Sequence, residues 1–203
     1  MVDSSGVPAT ADEQYAERLN RLQNKRWKKI LNVQLPWKLH MRALKLGRVL
    51  DVGCGNGRNL QYVAEGSVGV DHNAALVRSA RSAGTIAYTV DEFFADPELA
   101  KPESFDSILL AHVIEHLQPT EAREVIGSYL PFLKRGGRLI WITPQERGYK
   151  SDYTHVVFAD FTALAALADD LGLHVVKKYS FPFPRALGKL FIYNEFVLIA
   201  TKP

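Results

Sequence analysis

Cysteine is nearly absent from this sequence: Cys54 is the only one in 203 residues, so no internal disulfide can form and a reducing compartment is expected. Long apolar runs are missing too. None approaches the ~18 residues of a membrane helix, and the N-terminus has neither the basic start nor the apolar core of a signal peptide, so a cytoplasmic location is expected. Acidic residues disappear between Arg18 and Arg48, where ten Lys or Arg stand. Such a stretch suits phosphates, a membrane surface or an acidic substrate, and equally the solvated face of an amphipathic helix. The formal charge of the whole chain is only +3, too small a surplus to imply nucleic acid.

With 47% hydrophobic content, one α/β core with little beside it is expected. Residues 1–11 are small and polar and read as a disordered tail. Residues 12–47 read as an N-terminal helical lid, with Tyr15, Leu19, Leu22, Trp27, Ile30 and Leu31 at mostly helical spacing and a helix end near Leu35-Pro36. From residue 48 to residue 203, short apolar runs alternate with helical stretches. RVLDV, SVGVD, IAYTV, SFDSILLAH, RLIWITP, HVVKKYSF and NEFVLIATK read as strands. NLQYVAEG, AALVRSARSAG, PTEAREVIGSYLPFLKRGG and FTALAALADDLG read as helices. Asn73 is the expected N-cap of the second of these, Gly84 its stop, and Gly136-Gly137 the end of the third. The alternation means parallel βαβ units covered on both faces, with a ligand site outside the carboxyl ends of the strands.

The loop after the first strand, within GRVLDVGCGNGRNL, is defined partly by what it lacks. Gly53, Gly55 and Gly57 give GxGxG, but Arg58 stands where a dinucleotide fingerprint needs its last glycine, and no Gly-Lys-Ser/Thr follows to make a phosphate loop. Asp51, two residues before the first of these glycines, would repel a pyrophosphate. It suits a ligand that carries an ammonium group.

VLDVGCGNGRN resembles motif I of the class I S-adenosylmethionine-dependent methyltransferases. GSVGVD, ILLAHVIEHL and LKRGGRLIWITP follow in the family's order, so the likeness runs from about residue 45 to the C-terminus. It implies a Rossmann-like, doubly wound, seven-stranded sheet, mostly parallel with an antiparallel last strand and helices on both faces, and S-adenosyl-L-methionine as cofactor. By this resemblance Gly53, Cys54, Gly55 and Gly57 border the methionine half of the cofactor, and Asp51 faces its amino group. Asp71 accepts from the ribose hydroxyls with His72 beside it. Asp91, Glu92 and Phe93 lie where adenine contacts fall, and Ala111 and His112 complete the cofactor site after the fourth strand.

Methyl transfer to a hydroxyl needs a route for the departing proton, from a base or through a metal. Two groups of residues offer one. His112, Glu115 and His116 have helical i, i+3, i+4 spacing. In the O-methyltransferases of ubiquinone synthesis the similar pattern Glu-x-x-Glu-His binds a divalent cation, which implies Mg2+ on Glu115 and His116; His112 departs from that pattern. The plainer reading is that Glu115 and His116 only brace the cofactor loop. The second group lies in TPQERGYKSDYTHVVF, after the fifth strand, with Glu146, Tyr149, Asp152, Tyr153 and His155. Imidazole is the side chain whose ordinary titration falls nearest neutrality, so His155 is the candidate general base. The structural alternative is that His155 holds the loop through a backbone carbonyl.

The acceptor is read partly by elimination. No Asn/Asp-Pro-Pro-aromatic tetrad follows the fourth strand and no catalytic cysteine pair exists, so a nucleic-acid acceptor is not expected. A small hydroxyl compound is, with Tyr15, Trp27, Trp37, Phe181, Phe183 and Phe191 as aromatic walls, or else as core or dimer contacts. The short chain, basic helix and polar loop are similar to actinobacterial methyltransferases of methylmannose polysaccharide synthesis. That resemblance implies the 1-OH of a short 3-O-methylated mannoside as acceptor, with magnesium assisting; a homodimer is a further expectation. A quinone or phenolic acceptor, and a non-catalytic partner or RNA-binding subunit, remain as alternatives.

Overall fold

The computed structural model describes residues 35–203, and the readings that rest on Tyr15, Trp27 and the rest of the first 34 residues lie outside it. Seven strands form one sheet in the order β3-β2-β1-β4-β5-β7-β6. They are β1 (Val49–Val52), β2 (Val68–Asp71), β3 (Ala87–Thr89), β4 (Phe105–Ala111), β5 (Leu133–Pro144), β6 (His174–Phe181) and β7 (Glu195–Thr201). The first five run parallel, and β7 enters antiparallel between β5 and β6. The Rossmann-like, mostly parallel sheet is therefore as expected, and strand order reverses between β1 and β4, where such sheets hold their ligands.

Alternate residues of the central strands go to opposite faces. Leu50, Val52, Ile108, Leu110, Leu139 and Trp141 share one core with Phe196 and Leu198, while Val49, Leu109, Ile140, Ile142 and Val197 share the other. Every residue of β1 and β2 is buried, as strands covered on both faces must be. Helices α1 (Leu35–Ala43), α2 (Ala74–Ser82), α3 (Val90–Ala95), α4 (Pro119–Tyr129), α5 (Glu146–Tyr149) and α6 (Phe161–Asp170) complete the described fold. β6 is one of the two edge strands, and His174 through Lys178 are exposed along it.

Two local readings need correction. NLQYVAEG holds only a single 3-10 turn, Asn59–Tyr62, pinned where the Trp37 indole donates to Asn59 Oδ1 at 3.1 Å. α4 stops at Tyr129, not at Gly136-Gly137, because Pro131 lacks the N–H that the next turn would use; the glycine pair lies inside β5. The helix expected to end near Leu35-Pro36 lies outside the described residues; a helix begins at Leu35, where proline in the first turn costs no hydrogen bond. α1 buries Trp37 and Met41 in the second core, which ties it to the sheet. Asn73 does cap α2, accepting from the N–H groups of Ala75 and Leu76.

Candidate active site

The carboxyl ends of β1, β2, β3, β4 and β5 bring most of the candidate residues to one edge of the sheet. At the tip of β1, Asp51 is 1% exposed, and neither carboxylate oxygen has a hydrogen bond of ordinary geometry. Burial raises its pKa most, and nearby Asn59 and Arg58 draw back only part of the rise, leaving it pushed up to about 7. A buried carboxylate without a donor calls for a cationic or hydrogen-bonding group from outside the chain.

The glycine loop leaves room beside it. Gly53 has φ +74, and a Cβ there would stand 2.4 Å from Val113 Cγ2, so packing under the loop excludes a side chain. Gly55 has φ +57 but faces open space, with nothing within 4 Å of where its Cβ would be. Its N–H donates to Asp71 Oδ2 at 2.8 Å, while Asp71 Oδ1 accepts from Asn73 N–H at 2.8 Å. Asp71 thus shapes the loop, and its oxygens keep lone pairs for further donors. His72 is nearly half exposed beside it, Nδ1 standing 3.6 Å from Asp71 Oδ1. Gly57 lies over Ala80 and Thr85. Cys54 turns its thiol inward against Gly69 and Leu60, and burial drives that thiol far above the ordinary range; only its backbone is available to a ligand.

After β4, Ala111 is buried and His112 takes a left-handed conformation, φ +61. The spacing expectation that His112, Glu115 and His116 share one helical face is not met, because the helical turn covers only Ile114–His116. His112 Nδ1 donates to Glu115 Oε1 at 3.1 Å and Nε2 to Glu195 Oε1 at 2.8 Å. Burial opposes its charge, yet bonds to the two carboxylates outweigh that and push its pKa up to about 10. With both ring nitrogens bonded to carboxylates, His112 has none left for a metal. Glu195 was not foreseen; the available signal was an acid opening the apolar strand EFVLIAT.

His155, from the loop after β5, takes the place left by His112. Glu115, His116 and His155 offer ligand atoms within 4.8 Å of one another. His155 Nδ1 donates to Tyr149 C=O at 2.8 Å and its ring stacks on Tyr149, so it does hold the loop through a carbonyl. That same bond settles the tautomer: a carbonyl only accepts, so Nδ1 carries hydrogen and, in the neutral ring, Nε2 presents a lone pair. Burial holds the pKa of His116 below the ordinary value. Asp152 accepts from Thr154 N–H and Oγ1–H, closing the turn that precedes His155. Tyr153 is exposed at the same turn.

Some expected contacts prove structural. Phe93 is wholly buried among Phe94, Tyr129 and Phe132, so its ring belongs to the core instead of lying open to adenine. Glu92 Oε2 accepts from Thr89 N–H and Arg81, as half of a capping box for α3, while Asp91 stays exposed in the same first turn. Hydrogen bonds from Arg185 hold the Glu146 carboxyl below its ordinary value and make it a strut between α5 and the Arg185–Lys189 turn. Of the aromatic walls, Trp37 and Phe181 pack with His40, and Phe183 meets Phe191. A cleft of about 370 Å³ lies at the opposite edge of the sheet, lined by Lys45, Asp106 and Lys134, remote from all these groups.

Residues 50–139 match the family model described as a methyltransferase domain. That stretch is less than half of the chain, and the solved structures similar to it share its fold. Among solved structures, an S-adenosylmethionine-dependent methyltransferase from Archaeoglobus fulgidus is 17% identical with a TM-score of 0.65, covering 94% of this chain and 100% of its own. Magnesium protoporphyrin IX methyltransferase from Synechocystis, with S-adenosylhomocysteine bound, is 16% identical with a TM-score of 0.67, covering 99% and 100%. In sequence, the tRNA (carboxymethyluridine(34)-5-O)-methyltransferase of Xenopus tropicalis is 27% identical over 137 residues, 66% of this chain. The chain spans 21% of that relative's length and 42% of a relative from Encephalitozoon cuniculi. Among the described residues no helix is long and apolar enough to cross a membrane.

Proposed function

We propose that this chain transfers the methyl group of S-adenosyl-L-methionine to a hydroxyl of a small acceptor, the 1-OH of a short 3-O-methylated mannoside in methylmannose polysaccharide synthesis. One observation carries the cofactor reading: Asp51 is a buried carboxylate with no hydrogen bond of ordinary geometry at either oxygen, beside an open glycine loop. An α-ammonium group supplies the missing charge and donors. When bound, the cofactor supplies a methyl group on a sulfonium centre. Asp51 pairs its ammonium, Gly55 leaves room for its amino-acid end, and Asp71 accepts from its ribose hydroxyls.

The acceptor hydroxyl would give up its proton to His155 Nε2, whose lone pair the Tyr149 carbonyl orients, as its oxygen takes the methyl group. Tyr149 and Asp152 act as positioning residues for that imidazole. His155→Ala is expected to lower turnover by ~100-fold or more. Activity within about threefold of the parent would remove His155 from this role. The donor set does not fit Mg2+, which prefers oxygen ligands, since two of its three groups, His116 and His155, are imidazoles.

The reading is tested by incubating purified protein with methyl-labelled S-adenosylmethionine and 3-O-methylated mannosides and locating the label. Label on the 1-oxygen is the expected result. Label on a quinone, a phenol or tRNA instead would reassign the acceptor, and cofactor binding with no transfer to any of them would make the chain a binding partner.

A further inference from the structure

The arrangement of Glu115, His116 and His155 has the features of a ligand set. His116 donates Nδ1–H to Thr154 C=O at 3.2 Å and His155 donates Nδ1–H to Tyr149 C=O at 2.8 Å. Each neutral ring is thereby left with its Nε2 lone pair, and a backbone carbonyl on the other nitrogen is the usual outer support of a metal-bound histidine. Glu115 is fully buried; Oε1 is engaged by His112, and Oε2 has no hydrogen bond. That oxygen keeps its lone pairs for a group from outside the chain.

The three backbones are tied together. The N–H groups of Val156 and Val157 both donate to Glu115 C=O, at 2.8 and 3.1 Å, so the loop carrying His155 is latched to the turn carrying Glu115 and His116. Ligand atoms around a zinc-like centre stand ~3–4 Å apart, given bonds of about 2.0–2.2 Å. One ligand atom of each of the three residues lies within 4.8 Å of the others.

We propose that Glu115, His116 and His155 bind a first-row transition-metal dication, with zinc as the probe, and that His112 is not a ligand. Two imidazole nitrogens and one carboxylate suit such ions, whereas magnesium is served by oxygen donors. Three protein ligands leave positions open on the metal. His155 Nε2 cannot hold a metal and accept a proton together, so the loaded protein is the form in which His155 takes no proton. Binding itself does not depend on the methyl-transfer reading, and either can fail alone.

The test uses the full chain, free of any affinity tag and stripped with chelator, titrated calorimetrically with zinc chloride and, separately, magnesium chloride. One zinc per chain with micromolar or tighter affinity is expected, undisturbed by millimolar magnesium. His116→Ala and His155→Ala should each weaken binding beyond the ~10–100-fold that loss of an outer support costs. His112→Ala, which removes a support of Glu115 and no ligand, should weaken binding by no more than that ~10–100-fold. Zinc-edge X-ray absorption of the unaltered protein should show two imidazole nitrogens, a readout that needs no variant to fold. Absence of stoichiometric uptake, fewer than two imidazoles, or unchanged affinity in a folded His155→Ala protein would overturn the assignment.

Discussion

Replacing Asp51 by Asn tests the cofactor site through stability and affinity at once. Burial lifts this carboxyl from 3.8 to about 7 in the folded chain. Its contribution to stability is therefore complete below about pH 4 and is lost as pH rises through 7, and the gap corresponds to ~4 kcal/mol. Asn keeps the shape without the charge, so the unliganded variant should be more stable than the parent at pH 8, by up to ~4 kcal/mol, and equal to it near pH 4. Binding should run the other way. An ammonium beside the carboxylate restores its ionisation, so parent affinity for S-adenosylhomocysteine should rise by up to tenfold per pH unit between about pH 5.5 and 7 and then level. The variant should be flat over that range and weaker at pH 8. Urea unfolding and titration calorimetry at matched pH read both effects. A flat parent profile, or a variant that binds as well as the parent at pH 8, would refute the placement of an ammonium group at Asp51.

Gly55→Ala puts a methyl group into the open space of the loop at a left-handed residue, which should cost ~1–2 kcal/mol and lower cofactor affinity by about tenfold or more. Unchanged calorimetric affinity would show that the ligand does not use this space. Phe93→Leu should lower stability by about 1–3 kcal/mol in denaturant and leave cofactor affinity within about twofold. A large affinity loss without destabilisation would return Phe93 to the adenine site. Glu146→Gln breaks a partly exposed ion pair with Arg185, so a stability change of at most ~1 kcal/mol and turnover within about threefold are expected. A ~100-fold loss of turnover would make Glu146 a chemical participant.

What was legible in the sequence was local. The apolar runs of β1, β2, β4 and β7 and the cap at Asn73 each depend on neighbours a few residues away, so residue pattern locates them. The 3-10 turn at Asn59 instead owes its form to Trp37, 22 residues earlier in the chain. α4 carried two competing stop signals, Pro131 and Gly136-Gly137, and the proline acts first. Phe93 and Phe94 are adjacent and chemically alike; the packing of Tyr129 and Phe132 decides that Phe93 is the fully buried one. At the site, Asp51, Asp71 and the glycines stand at strand ends, where motif spacing points. The replacement of His112 by His155 beside Glu115 and His116 was hidden, because it depends on Glu195 capturing an imidazole 83 residues away.

The latch between Glu115 C=O and the N–H groups of Val156 and Val157 bears on how such proteins can be re-engineered. The segments following β4 and β5 form one mechanical unit. A chimera that imports the later segment alone, to change which acceptor is taken, would carry a mismatched underside into the turn that supports His112. Grafts that move residues 112–117 and 145–158 as a pair should keep their footing, and new acceptor ranges are better sought with that paired cassette than by exchanging either stretch singly.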